Sequence, residues 1–164
     1  MIKIALDIMG GDNAPQSNIN GAIDFLKKNQ GSVKIYMVGN KKYILPELEK
    51  NKNISNDTFE IIHTSQIVDS DDKPSKIIKT KPDSSMNKAI CLLKDNIVDA
   101  VISSGNTGCL VSSSFFNLGT IEGIKRPALF TIIPSEKGNF LLGDVGANPS
   151  SKPEQLLQFS KMAS

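Results

Sequence analysis

Three short segments gather glycines with hydrogen-bonding side chains. They are Asp7-Ile8-Met9-Gly10-Gly11-Asp12-Asn13-Ala14-Pro15, Ser104-Gly105-Asn106-Thr107-Gly108 and Gly143-Asp144-Val145-Gly146-Ala147-Asn148. Glycine lets a ligand approach the backbone closely, and a helix N-terminus presents unpaired N–H groups in a field that favours negative charge. Each segment therefore has a physical reason to hold an anion. A strand-to-helix turn also uses glycine simply to turn, so one such loop decides nothing. All three together favour a phosphate or phosphate-like ligand, because Asp7, Asp12, Asn106, Thr107, Asp144 and Asn148 exceed what tight turns require. Lys152, one residue before Pro153, could add a full positive charge.

Other chemistries find little support. The sequence contains no G-x-G-x-x-G dinucleotide fingerprint, no G-x-x-x-x-G-K-[ST] phosphate loop and no G-x-S-x-G nucleophile elbow. The single histidine, His63, ends an apolar run and reads as a satisfied structural residue. Cys91 lies in an amphipathic segment and reads as packing. Cys109 follows the Ser104–Gly108 loop at a helix start, where a thiol pKa can fall. A catalytic thiol is nevertheless disfavoured, since His63 is the one imidazole in the chain. Asp69, Asp71 and Asp72 read as a solvated acidic loop rather than a metal site, and neither a metal nor a cofactor is expected. What remains is an anion cradle without a covalent nucleophile. Phosphate itself suits such a site as the attacking group: the protein binds it, orients an acyl donor and stabilises an oxyanion.

The elements that must position these residues alternate along the chain. Ile2–Ile8, Val33–Val38, Phe59–His63, Ala100–Ser103, Leu129–Ile133 and Phe140–Leu142 are short apolar runs that read as buried strands. Between them, Ile19, Ala22, Ile23 and Leu26 repeat at helical spacing. So do Met86, Ala89, Ile90 and Leu93, and again Val111, Ser114, Phe115 and Leu118. Pro15 suits a first helical turn, and Ser84 or Ser85 suits an N-cap before Met86–Asn96. Ser112-Ser113-Ser114 offers small residues for close helix packing. Strands alternating with helices predict an α/β fold with a mostly parallel sheet covered on both faces. The connection Pro134–Asn139 is too short for a crossover helix, so the last two strands should form an antiparallel pair or a small excursion. Residues 64–83 read as a long polar loop with one helical turn near Ser75–Lys79. In an open sheet of this kind ligands bind beyond the carboxyl ends of the strands, where the three glycine loops would form one concave site.

Composition bounds the rest. The chain has 164 residues, 19 Lys plus Arg against 17 Asp plus Glu, and a net charge of +2. No basic stripe and no Trp argue for nucleic acid. No apolar run is long enough for a membrane span, and the start MIKIALDIMGGD carries Asp7 and Asp12 where a signal peptide needs apolar residues. Two cysteines without CxxC spacing fit neither a zinc module nor a disulfide scaffold, and they suit a reducing cytoplasm.

At this point the ordered motifs resemble one family. Asp7–Pro15 looks like the opening signature of the phosphate acyltransferases of bacterial phospholipid synthesis (the PlsX family). Ser103-Ser104-Gly105-Asn106-Thr107-Gly108 matches that family's S-x-G-N-T-G loop. Asp83-Ser84-Ser85-Met86, Arg126-Pro127-Ala128-Leu129, Asp144-Val145-Gly146-Ala147-Asn148 and Lys152-Pro153-Glu154 followed by Leu157-Gln158-Phe159 match in order. Ile8 and Ser104 stand where a smaller residue is expected. The resemblance implies transfer of a long acyl group from acyl carrier protein to inorganic phosphate, giving acyl phosphate. It implies a three-layer α/β/α fold like that of isocitrate and isopropylmalate dehydrogenases, a homodimer, and peripheral association with the inner face of the cell membrane. Family members are longer, so residues 1–164 are expected to be the N-terminal part of a single acyltransferase domain. Dimer and membrane contacts are then expected from the other half. The stripe of Leu156, Phe159 and Ala163 should lack part of its cover.

On this reading Asn106, Thr107 and Lys152 are the candidate catalytic residues. Asp7, Gly10, Gly11, Asp12, Ser104, Gly105, Gly108, Asp144 and Asn148 are the candidate phosphate- and substrate-binding residues. Asn106 and Thr107 would supply oriented hydrogen bonds, and Lys152 would offset charge. Asp7 and Asp12 would order the opposite wall or position Lys152. Three alternatives stay open at this stage. Two are enzymes on the same architecture, a phosphate-acetyl transferase and a dehydrogenase. The third is an inactive fragment binding acyl carrier protein through lysines such as Lys27, Lys28, Lys41, Lys42, Lys50 and Lys52.

Overall fold

Four of the apolar runs pair side by side in a computed structural model that describes residues 1–29 and 31–164. They are β1 (Ile2–Asp7), β2 (Val33–Gly39), β3 (Phe59–His63) and β4 (Ala100–Ile102), all parallel, in the order β3-β2-β1-β4. Side chains alternate across a strand, and the registers Ile4↔Ile35 and Ala5↔Tyr36 sort them into two layers. Ile4, Leu6, Ile35 and Met37 pack with Ile19, Ala22, Ile23, Leu26 and Ile44. Ala5, Tyr36 and Val38 pack on the opposite face with Ala89, Leu92 and Val98. The sheet is therefore covered on both faces, as the sequence pattern predicts.

The first covering layer holds α1 (Gln16–Lys28) and α2 (Lys41–Lys50). α1 buries the four residues that its spacing marks: Ile19, Ala22, Ile23 and Leu26. α2 has no such stripe. Ile44 is its one fully buried side chain and Pro46 lies inside it, so the sequence shows no helical period there. Its start is capped instead. Asn40 Oδ1 accepts from Lys42 N at 3.0 Å, and His63 Nδ1 accepts from Lys41 N at 3.3 Å. The lone histidine is thus a satisfied structural group.

On the other face lie α3 (Ile77–Thr80), α4 (Ser85–Lys94) and α5 (Thr107–Leu118). Ser84 is the N-cap of α4, which buries Met86, Ala89 and Ile90 with Leu92 in place of the expected Leu93. For α5 the expected apolar stripe is not the packed face. Phe115 and Leu118 are exposed, and Cys109 and Ser113 are buried. The cause is polar: buried Asn87 of α4 needs a partner, and Ser113 Oγ donates to its Oδ1. Ser113 is thus the small residue that lets α4 and α5 approach.

Residues 119–164 form a second compact unit. β5 (Phe130–Ser135) and β6 (Gly138–Gly143) pair antiparallel as a separate two-stranded sheet, which confirms the expected hairpin. β6 is therefore not a strand of the parallel sheet, and its following loop is not a carboxyl edge of that sheet. α6 (Pro153–Ala163) opens with Pro153 after Lys152, buries Phe159 and leaves Leu156 and Ala163 exposed. Among the described residues no helix is long and apolar enough to cross a membrane.

Candidate active site

Pairing of β1 with β4 brings two of the three glycine loops together. Ser104 Oγ donates to Gly10 O at 2.8 Å. A Cβ on Gly10 would lie 2.5 Å from Asp7 Oδ2 and 2.9 Å from Gly105 N, so only glycine fits. Gly11 has φ +103°, and a Cβ there would meet Ser104 Oγ at 2.7 Å, so glycine is required twice over. Asp7 is buried at the base of both loops. Its Oδ2 accepts from Ser103 Oγ at 2.7 Å and its Oδ1 from Met9 N at 3.1 Å. Both carboxylate oxygens are used in ordering the wall.

Above these loops lies a cleft of about 480 Å³. Its polar lining is Gly11, Asp12, Asp69, Ser70, Ser104, Gly105 and Asn106. Its apolar lining is Met9, Ala14, Pro15, Tyr43, Ile67 and Val68. Four carbonyls of the first loop are held from within the fold. The carbonyls of Ile8 and Gly10 accept from Asn18 Nδ2, that of Gly11 from Ala14 N, and that of Asn13 from Ser17 N. Among the described residues, the N–H groups of Gly10, Gly11, Asp12 and Asn13 have no acceptor. A run of free amides of this kind is an anion-binding surface.

The start of α5 adds to it. Asn106 caps the helix: its Oδ1 accepts from Cys109 N at 3.0 Å and its carbonyl from Leu110 N at 2.9 Å. Its Nδ2 donates to Ser70 O at 2.7 Å, which ties the long loop to the helix. The N–H groups of Thr107 and Gly108 remain free among the described residues. Thr107 and Gly108 are exposed at the helix start, outside the lining of the cleft, and Pro74 packs against Gly108.

The thiol of Cys109 does not behave as a helix start alone predicts. Burial, reinforced by the charge of Asp72, pushes its pKa up. It is a packing residue whose Sγ points to Asp72 O at 3.5 Å. The acidic loop is likewise spoken for. Lys81 Nζ reaches Asp69 and Asp72, each at 2.6 Å. The Lys81 contact, with help from Asp69 N, holds the Asp72 carboxyl below its ordinary range, and the two carboxylates raise Lys81. Among the described residues no cluster of three or more ligating side chains could hold a metal. Among the described residues Asp12 and Asp69 are the charged ones that line the cleft, with neither Lys nor Arg beside them. An anion in it would rest on backbone amides.

Asp144, Asn148 and Lys152 belong to the second unit. Burial opposes ionisation of Asp144, but the donors around it prevail and hold its carboxyl below the ordinary range. Leu129 N and Ala147 N donate to Oδ1, and Asn148 N and Nδ2 donate to Oδ2, at 2.8 to 3.2 Å. Asn148 Nδ2 also donates to Pro127 O at 2.9 Å. The pair thus orders residues 127–148. Lys152 stands at the N-cap of α6, with its backbone N–H donating to Gln155 Oε1 at 2.7 Å.

Sequence reasoning missed Asn18, Tyr43, Ile67 and Ser70. Asn18 sits on a helix face with no motif around it. Tyr43 comes from the helix that lacks a period, and Ile67 and Ser70 from the loop.

The sequence model of a family described as "Fatty acid synthesis protein" matches residues 2–164. A protein named "Phosphate acyltransferase" from Clostridioides difficile (strain 630) is 43% identical over 163 residues, covering 99% of this chain and 47% of the relative. One of the same name from Magnetococcus marinus is 44% identical over 163 residues, covering 99% and 46%. Another from Halalkalibacterium halodurans is 44% identical over 163 residues, covering 98% and 47%. The chain spans about half the length of the curated relatives it matches.

Proposed function

We propose, since the chain belongs to the fatty acid synthesis protein family, that it is the N-terminal part of a phosphate acyltransferase that moves a fatty acyl group from acyl carrier protein to inorganic phosphate. The observation that carries this reading is the run of free amides at Gly10–Asn13, of which Gly11 and Asp12 line one cleft with Ser104, Gly105 and Asn106. An oxygen of phosphate attacks the thioester carbonyl carbon. The carbonyl oxygen takes up the negative charge, and free amides stabilise it as it forms. The C–S bond then breaks, the acyl phosphate is released, and the carrier thiolate takes the proton that phosphate gives up. Atoms and charge balance without a cofactor or a protein nucleophile.

Gly10, Gly11, Gly105 and Gly108 act through backbone that nothing larger would leave accessible. Asp7 and Ser104 hold the two loops together. Asp12 orders the wall beside them. Asn106 acts by capping α5 and fixing the loop at Ser70, and Thr107 contributes its amide and hydroxyl. Lys152 offsets charge, and Asp144 and Asn148 order the segment before it. The apolar lining of the cleft favours a long acyl donor over acetyl, because Tyr43 and Ile67 offer surface that a methylene chain can cover. The complete protein is read as a homodimer with a dehydrogenase-like layered fold. It works in the cytoplasm, at the inner face of the membrane.

Hydroxylamine trapping tests the reaction. The full-length protein, given long-chain acyl carrier protein thioester and phosphate, should yield hydroxamate, and only when phosphate is present. No phosphate-dependent hydroxamate removes the reading, and a preference for acetyl-CoA replaces it with a phosphate-acetyl transferase.

A further inference from the structure

The carboxamide of Asn18 reaches back from the first turns of α1 to three carbonyls of the first glycine loop. Its Nδ2 lies 3.3 Å from Asp7 O, 3.0 Å from Ile8 O and 2.8 Å from Gly10 O. Gly10 O also accepts from Ser104 Oγ at 2.8 Å, so both its lone pairs are filled. Ser104 Oγ stands 3.4 Å from Asn18 Oδ1, which closes a triangle between α1, the first loop and the loop after β4. We infer that Asn18 is a positioning residue for anion binding: it draws the carbonyls of Ile8 and Gly10 towards α1 and so leaves the free N–H of Gly11 turned to the cleft.

A carbonyl and the next N–H belong to one rigid peptide plane and point in opposite directions. Fixing the carbonyl of Ile8 and that of Gly10 on the α1 side therefore fixes the orientation of the planes that carry Met9 N and Gly11 N. Met9 N is used by Asp7 Oδ1 at 3.1 Å, and Gly11 N is free. Gly10 and Gly11 have no side chain to resist rotation of these planes, so the loop does not hold that orientation by itself. If a plane turned over, it would aim a carbonyl oxygen at a bound anion. Asn18 itself is not among the residues lining the cleft, so it acts through the loop and not by contact. Its neutrality matters as well. Aspartate in its place would lose the donors and set a carboxylate against three carbonyl oxygens.

The inference rests on the phosphate reading of the cleft, and one experiment separates the two. Binding of radiolabelled inorganic phosphate to the full-length protein is followed by equilibrium dialysis, and amide deuterium exchange is read on the peptide spanning residues 8–15. Phosphate should slow exchange in that peptide. Asn18→Ala should weaken phosphate binding by roughly three- to tenfold, the worth of about one hydrogen bond. Affinity for the acyl donor and the melting temperature should change little. Asn18→Thr, which keeps one donor, should recover part of the loss, and Asn18→Asp should bind worst. Equal phosphate affinity in wild type and Asn18→Ala overturns the role of Asn18 and leaves the phosphate reading in place. So does an Asn18→Thr variant no better than Asn18→Ala, or donor and phosphate affinities that fall together. Absence of phosphate binding in the wild type overturns both.

Discussion

Asn106 Nδ2 donates to Ser70 O at 2.7 Å, while Oδ1 of the same carboxamide caps α5 at Cys109 N. One side chain therefore sets both the helix start and the loop that walls the cleft. Ser112 Oγ on Pro74 O, at 2.7 Å, repeats the attachment two turns on.

The two halves of that carboxamide can be separated. Asn106→Asp keeps the capping oxygen and loses the donor to Ser70. Asn106→Ala loses both, and loss of an N-cap costs about 1 kcal/mol. Chemical denaturation should place Asn106→Asp near wild type and Asn106→Ala lower by that amount, with both folded. Acyl transfer should fall in both variants. An unchanged rate in Asn106→Asp would show that the Ser70 tie is dispensable.

Asp7 predicts a different outcome, because it is buried and both its oxygens are engaged. Asp7→Ala leaves Ser103 Oγ and Met9 N without their acceptor. The abandoned buried donor Met9 N costs roughly 1–3 kcal/mol, and half-buried Ser103 Oγ adds less because water can reach it. Asp7→Ala should therefore lower the urea midpoint clearly, while Ser103→Ala, which removes one neutral partner, should lower it less. Equal effects of the two would contradict the geometry. Activity lost by Asp7→Ala at a temperature where it remains folded reports on the alignment of the two glycine loops.

Much of this arrangement was legible in the sequence. The buried residues of α1 are those its spacing marks, and the loops after β1 and β4 meet because a parallel sheet brings its carboxyl ends together. What was not legible has physical causes. α2 carries Pro46 and a single fully buried residue, so no period betrays it. α5 turns Ser113 inward because Asn87 needs a partner, and a hydrophobic count cannot see that demand. The chain also offers no sign that Asn18 faces the backbone of residues met ten positions earlier. Asp144, Asn148 and Lys152 follow a strand that, among the described residues, pairs within its own hairpin, which periodicity alone does not reveal.

The Lys81 clamp gives a pH signature. Asp72 titrates below its ordinary value of 3.8 and Lys81 above its ordinary value of 10.5. A lowered acid stabilises above 3.8 and loses that contribution as pH falls through its folded value. A raised base stabilises below 10.5 and loses that contribution as pH rises through its folded value. The stability difference between wild type and Lys81→Met should thus be level between about 3.8 and 10.5 and shrink on both sides. Its plateau should stay under about 1 kcal/mol, because Asp69 is largely exposed and water screens that half of the clamp. A pH-stability series on the two proteins checks the shape, and a difference that grows in acid would refute the assignment of Lys81 to these carboxylates.

Tyr43 and Ile67 are exposed by 45% and 41%, and both line the cleft beside buried Met9 and Val68. Two large apolar surfaces left open next to a row of free amides suit a substrate with a polar reacting end and an alkyl arm. Covering them stabilises a bound chain by roughly 0.8 kcal/mol for each methylene buried, a term that acetyl does not gain. Tyr43→Ser and Ile67→Ser should therefore lower kcat/KM for long-chain donors several-fold and leave short-chain donors nearly unchanged, without altering the phosphate KM. The ratio of long- to short-donor kcat/KM is the quantity to measure. If both donors lose activity in proportion, the two residues support the loop and do not contact the chain. If neither loses activity, the alkyl arm leaves the cleft by another side.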